Sequence, residues 1–321
     1  MDGGGGGGYK HIILVIDESL RWDYSPFLRI QSISGWHIYN YGQATSYTNF
    51  SAGSNILLRK GAKYESLIQD YYKNPIIWAY AKKAGYSTYL YDNQHCARNH
   101  NFFSERELQL VDHNICHLTQ SDSEIWNKMN HLSSNTPTFT IIIKKGSHFP
   151  YINNFPKTQT INYNLTPYQA DKAMRIDYLK SVMYQSDNFI NMIKNLKIQS
   201  RTLIIFTSDH GQNLEDVKGF THGTTGKPPY EGEGLVPLVV ITNVPDEKLK
   251  NTVNTNYNKT SHFNIVPTIL ESMGFSIENL GYIKKNGSLR DQIEKVGGFF
   301  YDVPLEDTYG KYPSFLILKQ Q

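Results

Sequence analysis

Short apolar segments that alternate with helical patterns constrain the fold of this chain more than any other feature. The runs His11–Ile16, Thr138–Ile143 and Leu203–Phe206 are continuous, apolar and rich in β-branched residues, as expected for strands buried on both faces. Helical patterns lie between them, at Ile76–Ala84 and from Thr166-Pro167 to about Leu196. This alternation predicts an α/β fold with a mostly parallel central sheet and helices on both faces. Further elements are predicted as helices at residues 49–59 and Phe263–Met273 and as strands at Ser87–Tyr91 and Pro237–Thr242.

The sequence predicts one folded domain. Residues 1–8 are predicted to form a flexible glycine-rich leader, and residues 9–321 a single domain without a convincing internal linker. The polar segments 94–135 and 212–234 are predicted to be long functional loops. No apolar stretch approaches the roughly 20 residues that span a bilayer. Because the first predicted strand begins directly after the glycine-rich leader, we expect a catalytic domain cut from a longer, membrane-anchored protein.

The charge of the chain argues against a nucleic-acid partner. The formal net charge is +3, and lysine and arginine are dispersed rather than clustered. Nucleic-acid binding requires a basic patch or stripe. We therefore expect no nucleic-acid partner.

The two cysteines leave three possibilities open. Cys96 and Cys116 are compatible with a disulfide, with two free buried thiols, or with a structural zinc site among nearby histidines. The paired Cys-x-x-Cys spacing of a zinc knuckle is absent. The sequence does not decide among the three.

Acidic residues and a histidine follow two of the predicted strands. Asp17-Glu18 comes directly after the first strand, and Asp209-His210 follows Leu203–Phe206 after two residues. Ligands of open α/β sheets lie outside the carboxyl ends of the strands. If the two strands are neighbours, their carboxylates and imidazole form a divalent metal site. The plainer alternatives are a strand-to-loop turn at Asp209 and a helix N-terminal charge at Glu18.

Five stretches, taken in order, resemble motifs of bacterial phosphoethanolamine transferases, which belong to the alkaline phosphatase/sulfatase superfamily. The resemblance extends from residue 11 to about residue 275 and implies an alkaline phosphatase/sulfatase-like fold. The stretches are Val15–Arg21, Ala44–Ser51 with Ile56–Leu58, Tyr89–Gln94, Gly146–Tyr151, and Thr207–Gly211 with Thr221–Gly223 and Val236-Pro237.

The resemblance implies a metal-activated threonine nucleophile. Glu18, Asp209 and His210 would hold one ion, most often Zn²⁺ with Mn²⁺ or Mg²⁺ as alternatives, and Thr48 would complete the coordination. Thr48 also precedes a predicted helix, whose free N–H groups bind phosphate oxygens. Small shifts of the alignment select Thr45 or Ser51 instead, and a simple helix-capping role for Thr48 stays open.

Other roles follow from the same resemblance. His148 and His222 would line the donor side and bind phosphate or protonate the leaving group. Asn93 and Tyr151 would contact substrate. Asp17 is an additional candidate ligand, although the transferases usually have a small residue at its position.

The implied reaction moves phosphoethanolamine from a phosphatidylethanolamine-type lipid to a glycan or lipid A-type acceptor through a phosphothreonine. The implied location is the periplasmic face of the inner membrane, in contact with the membrane surface. A phosphodiesterase or phosphatase with the same threonine and metal is the main alternative. A sulfatase is disfavoured because the chain lacks the Cys/Ser-x-Pro-x-Arg motif, and a two-metal enzyme because it lacks a second Asp-x-x-x-His pair.

Overall fold

The computed structural model describes residues 8–94, 100–116, 122–133, 135–162, 172–198, 200–282, 287–303 and 314–318. Its strands alternate with helices along the chain, as the apolar pattern predicts. The strands are His11–Asp17 (β1), His37–Thr45 (β2), Ser87–Asp92 (β3), His113–Cys116 (β4), Thr138–Ile143 (β5), Thr202–Ser208 (β6), Leu235–Thr242 (β7), Gly298–Tyr301 (β8) and Ser314–Ile317 (β9). The helices are Ser51–Lys60 (α1), Leu67–Lys73 (α2), Ile77–Lys83 (α3), Glu105–Leu108 (α4), Ser123–Asn127 (α5), Ala173–Asn195 (α6), Glu247–Thr252 (α7) and Ile265–Ser272 (α8).

A seven-stranded sheet in the order β2-β7-β6-β1-β5-β3-β4 forms the centre of the domain. The strands β6, β1, β5, β3 and β4 pair in parallel, while β7 pairs antiparallel with both β6 and the edge strand β2. Strands β8 and β9 form a separate antiparallel pair. The expected mostly parallel α/β sheet is therefore confirmed.

Side chains of β1 alternate between two apolar cores, one on each face of the sheet. Ile12 and Leu14 pack into the core that α1 and α8 cover, whereas Ile13 and Val15 pack into the core that α6 covers. Helices thus lie on both faces, as predicted. None of the helices in the described ranges is long and apolar enough to cross a bilayer.

Several elements escape prediction for identifiable reasons. Strand β2 lies at the sheet edge and alternates buried with more exposed side chains, so it lacks the continuous apolar run of a central strand. The predicted loop 94–135 contains α4, β4 and α5, which are each only four or five residues long. Residues 1–7, Cys96 and the predicted helix start at Thr166-Pro167 lie outside the described residues.

Candidate active site

The carboxyl ends of β1 and β6 bring the predicted acidic residues together. These strands are neighbours, with Asp17 paired to Ser208, and the Asp209 N–H donates to the Asp17 carbonyl at 3.0 Å. Glu18 and the pair Asp209-His210 therefore leave the sheet side by side. In the described part of the chain, these three residues form the one group of His, Cys, Asp or Glu side chains with metal-binding spacing, and their ligand atoms lie within 4.8 Å of one another.

Each of the three side chains is held by fixed partners. Glu18, Asp209 and His210 are fully buried. The Glu18 carboxylate accepts from the Ser19 hydroxyl at 2.7 Å, and Asp209 Oδ1 accepts from the Ser19 N–H at 3.1 Å. His210 Nδ1 lies 2.7 Å from the Gly211 carbonyl, which only accepts, so Nδ1 carries the proton and Nε2 faces the carboxylates. The hydrogen bond from Nδ1 to the Gly211 carbonyl fixes the orientation of the ring, so that Nε2 is free to bind a metal ion.

The charges of this cluster fit a divalent cation. Asp209 Oδ2 is buried without a hydrogen-bond partner among the described residues and lies 3.7 Å from His210 Nε2. A buried oxygen that lacks a donor destabilises the fold by about 1–3 kcal/mol. Two carboxylates and one imidazole form a donor set that Zn²⁺, Mn²⁺ and Mg²⁺ sites use, with imidazole favouring zinc. The residues therefore fit a divalent metal ion.

The metal-free cluster retains protons that a cation would displace. Burial raises the pKa of the Asp209 carboxyl, and the charge of Glu18 raises it further. Burial alone would lower the pKa of His210, but Asp209 and Glu18 together raise it to about 9. Burial would raise the pKa of Glu18, yet the hydrogen bond to His210 and its charge hold it below its usual range. Metal binding at this site is therefore expected to release protons.

Ser51 supplies the hydroxyl that lies at this cluster. Its Oγ is 3.1 Å from His210 Nε2 and 3.3 Å from Glu18 Oε2. Ser51 is the first residue of α1, and it is only partly buried. Ser51 is one of the two alternatives to Thr48 that the sequence leaves open.

The Thr48 hydroxyl, which is expected to complete the metal site, has protein partners in this structure. Thr48 Oγ1 donates to the Phe50 carbonyl at 2.9 Å and lies 3.1 Å from Ser54 Oγ. The side chain is fully buried against the first turn of α1. The physical reason is the helix start, which lies at Ser51 rather than at residue 49, so the hydroxyl of the first turn belongs to Ser51. The other alternative, Thr45, is the last residue of β2.

Asp17 forms a buried ion pair and does not join the cluster. Successive side chains of a strand point to opposite faces, so Asp17 and Glu18 diverge. Asp17 Oδ2 accepts from Lys144 Nζ at 2.6 Å, and both side chains are buried. Burial nevertheless raises the pKa of Asp17, although the charge of Lys144 opposes the shift. Asp17 thus has a structural partner in place of a metal.

We expect Lys144→Met to destabilise the domain by about 3–5 kcal/mol, because it leaves the Asp17 carboxylate buried without a counter-charge. Chemical denaturation measures the loss. The double variant Asp17→Asn with Lys144→Met should recover most of the stability and keep the metal content of the unmodified protein. A double variant that loses its metal would instead make Asp17 a ligand.

The two predicted histidines flank the cluster. The His222 ring stacks on His210 with centroids 4.2 Å apart, and its Nδ1 lies 3.0 Å from Gln212 Oε1. Burial and the charge of His210 lower the pKa of His222 to about 3. His148 is exposed and lines a cavity of about 190 Å³ together with Gln94. Both histidines therefore lie beside the proposed metal ligands.

Gln94 and Ser19 are site residues to which the sequence assigns no role. Gln94 Nε2 donates to Glu18 Oε2 at 2.8 Å and to the Lys144 carbonyl at 2.9 Å. Ser19 has φ of 59°, in the left-handed region, and its carbonyl accepts from the Tyr178 hydroxyl at 2.6 Å. A strained backbone at a site of this kind indicates a position fixed by its surroundings. Both lie in stretches that carry the family resemblance, Val15–Arg21 and Tyr89–Gln94, but those stretches do not predict the contacts of either residue.

Asn93 and Tyr151, predicted to contact substrate, have protein partners. Asn93 Nδ2 donates to Asp122 Oδ1 at 2.8 Å, and both residues are buried. The Tyr151 hydroxyl accepts from Gln212 Nε2 at 3.0 Å. Tyr151 is buried and shapes the wall of the site through Gln212.

Comparison with known proteins identifies the family and several similar folds. The C-terminal periplasmic domain of EcEptC from Escherichia coli has a TM-score of 0.71 and 17% identity, over 97% of this chain and 93% of that one. A second structure of that domain, a complex with Zn, has a TM-score of 0.69 and 18% identity, over 94% and 91%.

The soluble domain of lipooligosaccharide phosphoethanolamine transferase A from Neisseria meningitidis has a TM-score of 0.65 and 15% identity, over 85% of this chain and 90% of that one. These likenesses establish the expected fold. No curated protein matches the sequence. The family model described as Sulfatase matches residues 10–275, and the chain therefore belongs to the sulfatase family.

Proposed function

We propose that this protein is a metal-dependent phosphoethanolamine transferase that uses Ser51 as its nucleophile. The donor is a phosphatidylethanolamine-type lipid, and the acceptor is a hydroxyl of a glycan or lipid A-type molecule. The proposed location is the periplasmic face of the inner membrane, which is supported by the similarity to a periplasmic domain from E. coli.

The observation that carries the proposal is the position of the Ser51 hydroxyl. It lies at hydrogen-bond distance from His210 and close to Glu18, at the first residue of a ten-residue helix. The N-terminus of a helix offers free N–H groups and a partial positive charge to phosphate oxygens. A hydroxyl at this place is thus next to both a cation site and a phosphate site.

The metal-binding residues are Glu18, Asp209 and His210. They would hold a divalent ion, whose chemistry there is to polarise the attacking hydroxyl and to neutralise charge on the phosphoryl oxygens. Three protein ligands leave a position open, as in catalytic zinc sites. The complex of the E. coli domain with Zn supports zinc as the ion.

The first transfer forms a bond between Ser51 Oγ and phosphorus as the bond from phosphorus to the glycerol oxygen breaks. Ser51 loses its proton, and the departing glycerol oxygen takes one up. We assign the binding of phosphate or the delivery of that proton to His148, and the binding of phosphate to His222, whose lowered pKa keeps it neutral; both flank the cluster. The product is diacylglycerol, and the phosphoethanolamine stays on Ser51.

The second transfer reverses these roles. An acceptor hydroxyl bonds to phosphorus, the bond from phosphorus to Ser51 Oγ breaks, and the serine regains a proton. With water as the acceptor, the same two steps describe the alternative hydrolase. The two functions therefore differ only in what enters the site at the second step.

Product analysis distinguishes the transferase from the hydrolase. The protein is incubated with phosphatidylethanolamine in detergent micelles, with and without a purified lipid A-type acceptor, and diacylglycerol and modified acceptor are measured. We expect diacylglycerol release to require a divalent ion and to rise when the acceptor is added. Release of free phosphoethanolamine at the same rate in both samples would favour the hydrolase.

A further inference from the structure

Exposed apolar side chains border the candidate active site on two loops. Phe149 and Ile152 are 49% and 60% exposed, and Val217 and Phe220 are 48% and 71% exposed. These four residues, here called the apolar rim, are half of the large hydrophobic side chains that are exposed in the described part of the chain. Apolar side chains concentrated in this way mark interaction surfaces.

A chain of contacts connects both loops to the metal ligands. Phe149 packs edge-on against Tyr151 with ring centroids 5.5 Å apart, and the Tyr151 hydroxyl bonds to Gln212. Gln212 in turn contacts His222, which stacks on His210. The two halves of the apolar rim therefore flank one site.

The loop that carries Val217 and Phe220 has a defined shape. Buried Asn213 donates from Nδ2 to the carbonyls of Val217 and Phe220 at 2.9 Å and 3.1 Å. Its Oδ1 accepts from the N–H groups of Asp216 and Val217. These backbone groups of the loop thus have hydrogen-bond partners inside the loop, while the Phe220 side chain is exposed to solvent. Apolar exposure here belongs to the folded shape of the loop.

Positive charge on or near the two loops of the apolar rim complements phosphate groups. Lys157, Lys218 and Lys227 are exposed on or near the two loops. The acids of the Phe220 loop are neutralised, because Asp216 pairs with Arg21 at 2.6 Å and Glu215 with Lys172 at 3.5 Å. Lysines near an anionic lipid surface strengthen binding by attraction to the negatively charged head groups.

We propose that the apolar rim docks the protein on a phospholipid bilayer, with Ile152 and Phe220 inserted among the lipids and the lysines on the phosphates. The proposal rests on the proposed function, since it places the Ser51 site at the surface where a lipid donor resides. A donor could then reach the site by moving its head group, while its acyl chains stay in the bilayer.

Flotation with vesicles of phosphatidylethanolamine and phosphatidylglycerol tests this proposal. We expect the full chain to bind the vesicles. The double variant Ile152→Ser with Phe220→Ser should bind at least about ten-fold more weakly, because less apolar area enters the lipid. Lys218→Glu should weaken binding further as the phosphatidylglycerol fraction rises. Circular dichroism checks that the variants are folded.

The matched control is Tyr72→Ser with Ile317→Ser, because these side chains are 56% and 77% exposed on other elements. It should bind vesicles like the unmodified protein. The docking proposal is overturned if the rim variant binds vesicles as strongly as the unmodified protein, or if the unmodified protein does not bind them. Self-association that Phe220→Ser abolishes, without vesicle binding, also overturns it and assigns the rim to a protein contact.

Ser51→Ala separates the two proposals. It should bind vesicles normally, because Ser51 is not part of the rim. A loss of docking in the rim variant with full transfer from micellar donor supports both proposals. A rim variant that binds normally leaves the proposed function intact and removes only the docking surface.

Discussion

Replacing Ser51 with alanine is expected to reduce phosphoethanolamine transfer by about 1,000-fold or more, as the loss of a covalent nucleophile does in other enzymes. The reason is chemical, because no other described hydroxyl has been found at hydrogen-bond distance from both Glu18 and His210. Metal content should be retained, since the charged ligands remain. Initial rates of diacylglycerol release at saturating donor measure the effect.

Thr48→Val is the matched control for this variant. It removes the hydroxyl that contacts Phe50 and Ser54 while keeping the shape of the side chain. We expect a stability loss of about 1 kcal/mol and a rate within about ten-fold of the unmodified protein. Ser51→Thr should keep measurable transfer, because a secondary hydroxyl performs the same displacement. Loss of activity in Thr48→Val with full activity in Ser51→Ala would return the role to Thr48.

The second large effect concerns Asp209. In the unmodified protein, zinc at about 100 times its Kd should stabilise the fold by about 2.7 kcal/mol, which raises Tm by on the order of 5 °C. Asp209→Asn should abolish that rise, because an amide is a poor substitute for a carboxylate ligand. In metal chelator, the same variant should melt at about the same temperature, since Asn replaces a carboxyl that burial and the charge of Glu18 already favour in its protonated, uncharged form.

The pH dependence of the metal-free protein follows from the same charges. The raised pKa of His210 gives a stabilising contribution that is complete below its ordinary value of about 6.5 and is lost as pH rises through about 9. The raised pKa of Asp209 acts in the same direction. Tm in chelator should therefore fall between pH 7 and 9, and Asp209→Asn should flatten the decline.

Glu247→Gln serves as the control for the Asp209 variant. Glu247 is an exposed acid in the first turn of α7, and its removal should leave both the zinc effect and the pH dependence unchanged. A zinc-induced rise in Asp209→Asn equal to that of the unmodified protein would contradict the assigned ligand set.

The sequence was informative where side chains leave central strands. The continuous apolar runs of β1 and β6 predict buried strands, and residues that follow such strands must lie at one edge of the sheet. Glu18, Asp209 and His210 could therefore be placed together before any coordinates. Asp17 could have been separated from Glu18 by the alternation of side chains along β1.

The sequence was less informative where a helix begins. Two hydroxyls three residues apart, Thr48 and Ser51, both precede the apolar part of α1, and local preferences place helix ends only to within one or two residues. Helix α1 begins at Ser51, and the Ser51 hydroxyl lies near Glu18 and His210, which is why we propose Ser51. Gln94 escaped prediction for another reason: it comes from the end of β3, two strands away from β1, and only the strand order brings it to Glu18.

Fragmentation mass spectrometry of the protein after incubation with zinc and phosphatidylethanolamine, without acceptor, tests the central claim most directly. The account predicts a phosphoethanolamine adduct on Ser51 that disappears when a hydroxyl acceptor is added and does not form in Asp209→Asn. An adduct on Thr48, or none on any residue while diacylglycerol is released, would contradict it.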